Sequence, residues 1–254
     1  MSAEKNINIY SLPVSAPMMN KMVVVYPTLL WDDQNVVLID TAYPGQLPLL
    51  REAIVRAGVN PDNIDRLILT HQDLDHIGCA ASLIESCPNR ITVLAHEEEV
   101  LYIEGEKRLL KLTNEAIDNA VHSLPLDVAP EWKAAFRRTL EHPPRAKVDE
   151  VVRSVEELPY CGGITVIPSP GHTPGHISLY HKQTKTLIAG DALRIENGLL
   201  DLPDPETCSD FELAKTALQT FQELPIERIL CHHGGEFVGE AHAAINELKS
   251  TYLG

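Results

Sequence analysis

The 254-residue chain contains no apolar run that approaches the roughly 20 residues needed for a membrane-spanning helix. Its first ten residues, MSAEKNINIY, have neither the basic start nor the apolar stretch of an export signal. From these two absences we expect a cytoplasmic protein that does not enter a membrane.

Basic residues and cysteines are also scarce. Lys and Arg number 21 against 36 Asp and Glu, which gives a formal net charge of -15. Such an acidic surface repels phosphate backbones, so we expect no nucleic-acid partner. The five cysteines form no C-x-x-C pair, which predicts reduced thiols rather than a disulfide framework.

What the chain does have is a regular succession of apolar runs and helical periodicities. Strands are predicted at 22–25, 36–39, 66–70, 91–95, 164–168, 177–181, 186–190 and 228–230. Helices are predicted at 47–57, 77–86, 210–223 and 239–252. This order predicts one α/β domain over residues 1–254, an αββα sandwich of two mixed β-sheets flanked by helices.

Residues 97–142 interrupt that succession because they are mostly helical and amphipathic. We interpret them as an insertion packed over the core and as a candidate lid. The acidic run HEEE at 96–99 is expected to be a solvated helix start. The amphipathic helices also offer a surface through which two subunits could pair as a homodimer.

The stretch THQDLDHIG, residues 70–78, holds four side chains that can bind a metal ion. They are His71, Asp73, Asp75 and His76, and they lie between a predicted strand and a predicted helix. In α/β folds, ligands usually collect at the carboxyl ends of strands. The pattern therefore predicts a metal site rather than a polar loop.

Three later strand ends carry the same residue types in turns rich in glycine or proline. They offer His172 and His176 (SPGHTPGH, 169–176), Asp191 (LIAGDAL, 187–193), and His232 and His233 (LCHHGG, 230–235). Strand ends that bring His and Asp together are what a metal site on a rigid scaffold requires.

These motifs, in this order, resemble those of the metallo-β-lactamase superfamily of metallohydrolases. The shared pattern is T-H-x-(H/D/E)-x-D-H-x-G, then P-G-H-T-x-G-H, G-D and a late H-G, and it spans Asp40 to Gly235. The resemblance implies the metallo-β-lactamase fold and two divalent metal ions per chain, zinc, manganese or iron.

The resemblance also implies a role for each matching residue. The first ion would be held by His71, Asp73 and His172, the second by Asp75, His76 and His233, with Asp191 bridging both. His176 and Asp40 match positions that orient the ligands. We name Asp75 and His176 as the candidate catalytic residues, with Asp75 orienting a metal-bridging hydroxide.

Asp73 departs from the family pattern, which usually has histidine at this position. A carboxylate is a harder ligand than imidazole and adds negative charge. We therefore expect lower Lewis acidity and a preference that shifts from zinc toward manganese or iron. Outside the motifs, Arg194 is a candidate for binding a substrate carboxylate, and His96 ends a predicted strand near the expected cleft.

The predicted activity is hydrolysis of a small substrate, a lactone, ester or thioester, by a metal-bridging hydroxide. A phosphodiester hydrolase is one alternative. A mononuclear iron oxygenase on the same fold, similar to persulfide dioxygenases, is another, although such enzymes use fewer of the seven ligand positions. A non-catalytic metal-binding scaffold would be expected to lack a ligand, and none is missing.

Overall fold

The computed structural model describes residues 7–18 and 21–254. The strands are β1 Asn8–Ser11, β2 Val14–Met18, β3 Lys21–Val25, β4 Thr28–Trp31, β5 Val36–Ile39, β6 Arg66–Leu69, β7 Thr92–His96, β8 Glu150–Val152, β9 Glu157–Leu158, β10 Ile164–Pro168, β11 Ile177–His181, β12 Thr186–Gly190, β13 Arg194–Glu196, β14 Leu199–Asp201, β15 Arg228–Cys231 and β16 Gly235–Glu236.

Helices lie between and after these strands. They are α1 Leu47–Arg56, α2 Leu74–Ile77, α3 Ala80–Ser86, α4 Glu97–Ile103, α5 Asn114–His122, α6 Pro130–Glu141, α7 Phe211–Glu223 and α8 Ala241–Leu253, with short 3₁₀ turns at Pro61–Asn63 and Pro205–Thr207. None of the described helices combines the length and apolar character needed to cross a bilayer.

The strands form two mixed six-stranded sheets. The first has the order β1-β4-β5-β6-β7-β8, in which neighbouring strands from β5 to β8 are parallel and β4 is antiparallel to both β1 and β5. The second has the order β16-β15-β12-β11-β10-β9, in which only the β12–β15 pair is parallel. The predicted mixed sheets are therefore confirmed.

Strand β6 shows how the layers are held together. Leu67, Ile68 and Leu69 are all fully buried, and successive side chains of a strand point to opposite faces. Ile68 packs between the two sheets, whereas Leu67 and Leu69 pack with α1 and α3 on the outer face. Helices α7 and α8 cover the outer face of the second sheet in the same way. The result is the predicted αββα layering.

Helices α4, α5 and α6 lie between β7 and β8, where the helical insertion was predicted. The chain returns to the first sheet at Glu150, somewhat after the predicted end at residue 142. Helices α5 and α6 pack on each other, and the rings of Trp132 and Phe136 stack with centroids 5.5 Å apart.

The helix predicted at 77–86 begins later, as α3 at Ala80, and Gly78 separates it from the short helix α2. A Cβ atom at Gly78 would lie 2.6 Å from the carbonyl oxygen of Ala42 and 2.5 Å from Pro44. The loop after β5 therefore approaches so closely that only glycine fits. This close packing fixes the short helix α2, which carries the second half of the metal motif.

Candidate metal centre

Loops at one end of the sandwich bring the predicted ligands together. His71 follows β6, His172 follows β10, Asp191 follows β12 and His233 follows β15. Because the strands are fixed within the two sheets, the positions of these loops are fixed as well.

The first group of donors consists of His71, Asp73, His172 and Asp191, whose ligand atoms all lie within 4.8 Å of one another. Asp73 Oδ2 is 3.2 Å from His71 Nε2 and 3.0 Å from His172 Nε2. Asp191 Oδ2 is 3.9 Å and 3.3 Å from the same two nitrogens.

The second group consists of Asp75, His76 and His233, again within 4.8 Å of one another. Asp75 Oδ2 lies 3.2 Å from His233 Nε2. Asp191 reaches this group too, because its Oδ1 is 3.2 Å from His76 Nε2 and its Oδ2 is 3.3 Å from His233 Nε2. Asp191 therefore stands between the two groups.

The donor atoms fit divalent metal ions. His71 Nε2, His76 Nε2 and Asp191 Oδ1 are buried and make no hydrogen bond within the described part of the chain. Because a buried polar atom without a partner is costly, these atoms are suited to binding a metal ion. Ligands at 2.0–2.2 Å in tetrahedral geometry lie about 3.4 Å apart, close to the separations between the donor atoms here. Nitrogen and carboxylate donors at these distances suit zinc, manganese or iron.

The carboxylates and histidines of the site shift each other's pKa values. Burial alone would raise the pKa of Asp191, but His233 and His76 hold it well below its usual range. Burial alone would lower the pKa of His76, but Asp191 and Asp40 raise it to about 10. The carboxylates are therefore ionised at neutral pH, and a metal ion that binds must displace protons from histidine.

Asp40 orients one ligand. Its Oδ2 lies 2.9 Å from His76 Nδ1 and accepts from the Thr70 hydroxyl at 2.8 Å, while its Oδ1 accepts from Thr70 N at 2.8 Å. The contact leaves His76 Nε2 facing the site, as expected for a carboxylate–histidine–metal arrangement. Asp40 has a φ of +61°, so the backbone is strained to make this contact.

His176 was named both as a candidate catalytic residue and as a residue that orients the ligands, and its contacts fit the second role. It is fully buried, its Nδ1 lies 2.8 Å from Ser169 Oγ, and its Nε2 accepts from the backbone N–H of Asp191 at 3.0 Å. Both ring nitrogens are thus engaged away from the cavity. A Cβ at Gly190 would lie 2.8 Å from His176 Nε2, which explains the glycine of the G-D motif. His176 positions Asp191.

A cavity of about 500 Å³ opens onto the two donor groups. Arg194 lines it, but its Nη1 donates to Asp204 Oδ2 at 2.7 Å and its Nη2 lies 3.4 Å from Glu196. Its charge is therefore largely neutralised. His96 is not among the described residues that line this cavity; it caps α4, where its Nδ1 accepts from Glu98 N at 3.4 Å.

Lys111, from the insertion, reaches the site without any signal in the motifs. Its ammonium contacts Asp73 Oδ2 and lies 2.6 Å from His172 Nε2. The cation offsets the negative charge that Asp73 adds where the family pattern usually has histidine. Burial would raise the pKa of Asp73, but His71, His172 and Lys111 hold it well below its usual range.

Glu99 is a second residue that motif reading missed. The acidic run was expected to be solvated, and Glu97 and Glu98 are exposed, but Glu99 is fully buried. It accepts from Gln72 N at 3.0 Å, from Gln72 Nε2 at 2.9 Å, from the Thr173 hydroxyl at 2.8 Å and from Gly175 N at 2.7 Å. One carboxylate therefore joins the loop of His71 and Asp73 to the loop of His172.

Comparison with known proteins identifies the family. A family model described as the metallo-beta-lactamase superfamily matches residues 22–233. The probable metallo-hydrolase YflN of Bacillus subtilis is 27% identical over 227 residues, which are 82% of this chain and 79% of YflN. Two further relatives come from the same organism: the uncharacterized protein YobT, 25% identical over 171 residues, and the probable metallo-hydrolase YybB, 28% identical over 167 residues. The matched residues cover 63% of YobT and 61% of YybB, less than two thirds of either protein.

Solved structures show the same fold. A metallo-beta-lactamase family protein from Thermus thermophilus superposes with a TM-score of 0.65 at 24% identity, covering 96% of this chain and 79% of that one. An archaeal metallo-beta-lactamase superfamily protein from Sulfolobus tokodaii also gives 0.65, at 19% identity, covering 97% of this chain and 86% of that one. The chain belongs to the metallo-beta-lactamase superfamily.

Proposed function

We propose that the protein is a metal-dependent hydrolase of a small substrate with a carboxylic bond, namely a lactone, an ester or a thioester. The observation that carries the proposal is that all seven ligand-type side chains converge in two groups, with Asp191 between them. The names of two relatives, probable metallo-hydrolases YflN and YybB, support the reaction type.

Two divalent ions, zinc, manganese or iron, would be held by His71, Asp73 and His172 on one side and by Asp75, His76 and His233 on the other. When bound, they supply Lewis acidity toward a carbonyl oxygen and an activated water. Asp191 contacts both groups and therefore fixes their separation.

The residues of the chain itself orient the reactants and carry protons. Burial would raise the pKa of Asp75, but His76 and His233 hold it below its usual range, so Asp75 is ionised and can orient the attacking water and accept its proton. Tyr43 lines the same cavity. Burial, together with Asp75 and Asp191, raises the pKa of its hydroxyl, which therefore stays protonated and can donate to an acyl oxygen.

A small neutral or weakly charged substrate suits this site better than a polyanion. The cavity measures about 500 Å³, and the chain carries a net charge of -15, which disfavours a nucleic-acid phosphodiester. A small-molecule substrate is the partner we propose; pairing of two subunits and a cytoplasmic location stay predictions from the sequence.

One observation favours a second candidate, a mononuclear iron oxygenase. The first group holds two histidines and two carboxylates, His71, His172, Asp73 and Asp191, so it can supply the set of two histidines and one carboxylate that many iron(II) oxygenases use. In that case Asp75, His76 and His233 would hold no second ion. The complete second group is the reason we place hydrolysis first.

The two candidates are separated by one panel of assays. Protein reconstituted with manganese, then with zinc, is given acyl-homoserine lactones, simple esters, thioesters and phosphodiesters, with Asp191→Ala as the blank. We expect turnover on a carboxylic class that is lost in the blank. Turnover only of phosphodiesters, or no hydrolysis but oxygen consumption by the iron-loaded protein with a thiol persulfide, would refute the proposal.

A further inference from the structure

A second, larger cavity lies beside the metal site. It is an apolar groove of about 1080 Å³ between the insertion helices and the segment that leads into α1. Among the seventeen residues that line it, only Tyr43, Gln46 and Thr139 have polar side chains, and none is charged. In a chain with a net charge of -15, a groove of this size without a charged residue is suited to an apolar ligand.

The groove adjoins the metal cavity. Tyr43 lines both spaces. Leu74 lines the groove, while its neighbours in the motif, Asp73 and Asp75, line the metal cavity. A single ligand could therefore place its reacting bond at the metal site and an attached chain in the groove.

The outer wall of the groove comes from the insertion. Trp132 and Phe136 stack on each other on one side of α6, and both line the groove. Trp132 remains about half exposed, as expected for an aromatic wall that lacks a covering partner within the described chain.

Gln46 supplies an independent sign of a ligand. Its side-chain oxygen is buried and makes no hydrogen bond among the described residues, while the residue is only 8% exposed and lines the groove. An unsatisfied buried acceptor in an apolar space is costly unless a ligand donates to it. The groove therefore suits a chain that carries one hydrogen-bond donor, such as an amide or hydroxyl group.

We propose that this groove binds the apolar chain of the substrate, so that the enzyme acts on acyl compounds whose medium or long straight chain carries an amide or hydroxyl donor. The inference rests on the proposed hydrolase function for the reaction, but binding in the groove can be measured without turnover. The substrate chain lies between α6 and the α1 segment, and Gln46 accepts a hydrogen bond from a donor group of that chain.

The kinetic test uses p-nitrophenyl esters with two to twelve acyl carbons and a matched pair of variants. Ala135 lines the groove, whereas its neighbour Ala134 is exposed on the same helix and does not line it. In the wild type we expect KM to fall about fourfold for each added methylene group. Ala135→Glu should flatten this dependence, whereas Ala134→Glu should keep it. A flat series in the wild type, or the same slope in both variants, would overturn the proposal.

The binding test uses 1-decanol and the fluorescence of Trp132, and it needs no turnover. We expect a saturable change in the wild type and in Ala134→Glu that is absent in Ala135→Glu, and about threefold to tenfold weaker binding in Gln46→Met. If no ester, lactone or thioester is hydrolysed but decanol binds in this pattern, the hydrolase proposal fails and the groove stands. If decanol does not bind, the proposal is wrong. If, in addition, Ala135→Glu alone turns a dimer into a monomer by analytical ultracentrifugation, the groove is an interface between copies.

Discussion

The strand-end loops and the helical insertion both face the metal cavity, but they differ in how their residues reach it. The loops carry His71 to His76 within six positions, so that one short motif brings four ligand-type side chains to one place. The insertion contributes Glu99 and Lys111, whose partners lie 27 to 76 positions away along the chain. The ligand-type residues of the motif are therefore close together in the sequence, whereas the residues of the insertion that contact the loops are far from their partners.

Metal binding and its adjustment can therefore be altered independently. Changes in the loops should remove metal binding itself. Changes in the insertion should leave the ligands present but alter how firmly they are held and which ion or substrate they prefer.

The largest effect on turnover is expected from Asp191→Ala, in one of the strand-end loops. This carboxylate stands within 3.3 Å of ligand atoms in both donor groups, and its loss removes the bridge between them. We expect turnover to fall by about 10³-fold or more, with the fold kept in circular dichroism spectra. Wild-type turnover in Asp191→Ala would refute the assignment of the site.

The next effect tests whether the insertion truly supports the loops. Glu99→Ala leaves the buried donors of Gln72, Thr173 and Gly175 without their acceptor. We expect the free energy of unfolding to fall by about 3 kcal/mol. We also expect about 10- to 100-fold weaker metal binding, measured by titration with cobalt, and a changed visible spectrum of the cobalt-substituted protein. Glu99→Gln keeps the shape but accepts through one oxygen only, so its spectrum should be closer to the wild type. The control is Glu97→Ala, an exposed residue of the same helix, and equal spectra for the two alanine variants would contradict the role of Glu99.

Asp73→His tests whether one residue of the strand-end loops determines the metal preference of the site. It replaces a hard oxygen donor by a nitrogen donor and removes one negative charge. We expect the ratio of zinc affinity to manganese affinity to rise about tenfold or more, measured by competition with a metal-binding dye. An unchanged ratio would show that Asp73 does not determine metal preference.

Lys111→Met tests the contact that joins the insertion to Asp73. The ammonium contacts the carboxylate that the first ion would bind, so removing it should strengthen metal binding. A charged hydrogen bond contributes about 1.5 kcal/mol, which corresponds to about a tenfold smaller Kd at most. Lys107→Met is the control, because Lys107 lies over the Tyr102 ring, 5.4 Å from its centroid. Equal dissociation constants for both variants would refute the competition.

The smallest effect is expected for Arg194→Ala. Its guanidinium lines the cavity but is already paired with Asp204 and Glu196, and partly exposed ion pairs contribute about 1 kcal/mol or less. We expect KM to change less than about threefold. A much larger rise in KM for an anionic substrate, without a change in kcat, would restore Arg194 as a carboxylate-binding residue.

The sequence predicts the fold, and it predicts which ligand-type side chains lie together, because both depend on short-range patterns. Short continuous apolar runs such as Leu67 to Leu69 identify buried strands, and ligand spacing within the motif survives folding because the end of the strand fixes it. The first strands were only partly predicted, since β1 and β2 are short and pair with neighbours whose registers the pattern does not specify.

The support of the site could not be read in this way. Glu99 looks like one of three solvated acidic residues, yet it shares a helix face with buried Ile103, four positions later, and that spacing was the available signal. Lys111 has no such signal, because its contact with Asp73 depends on how the insertion folds back. His176 matched a motif, but only its hydrogen bonds to Ser169 and Asp191 show that it positions a ligand.

The most direct test of the account is the metal content of the protein after reconstitution and desalting, measured by inductively coupled plasma mass spectrometry. The two donor groups predict close to two divalent ions per chain, falling to one or fewer in Asp191→Ala. A wild-type protein that retains only one ion under saturating manganese or zinc would contradict the two-ion site.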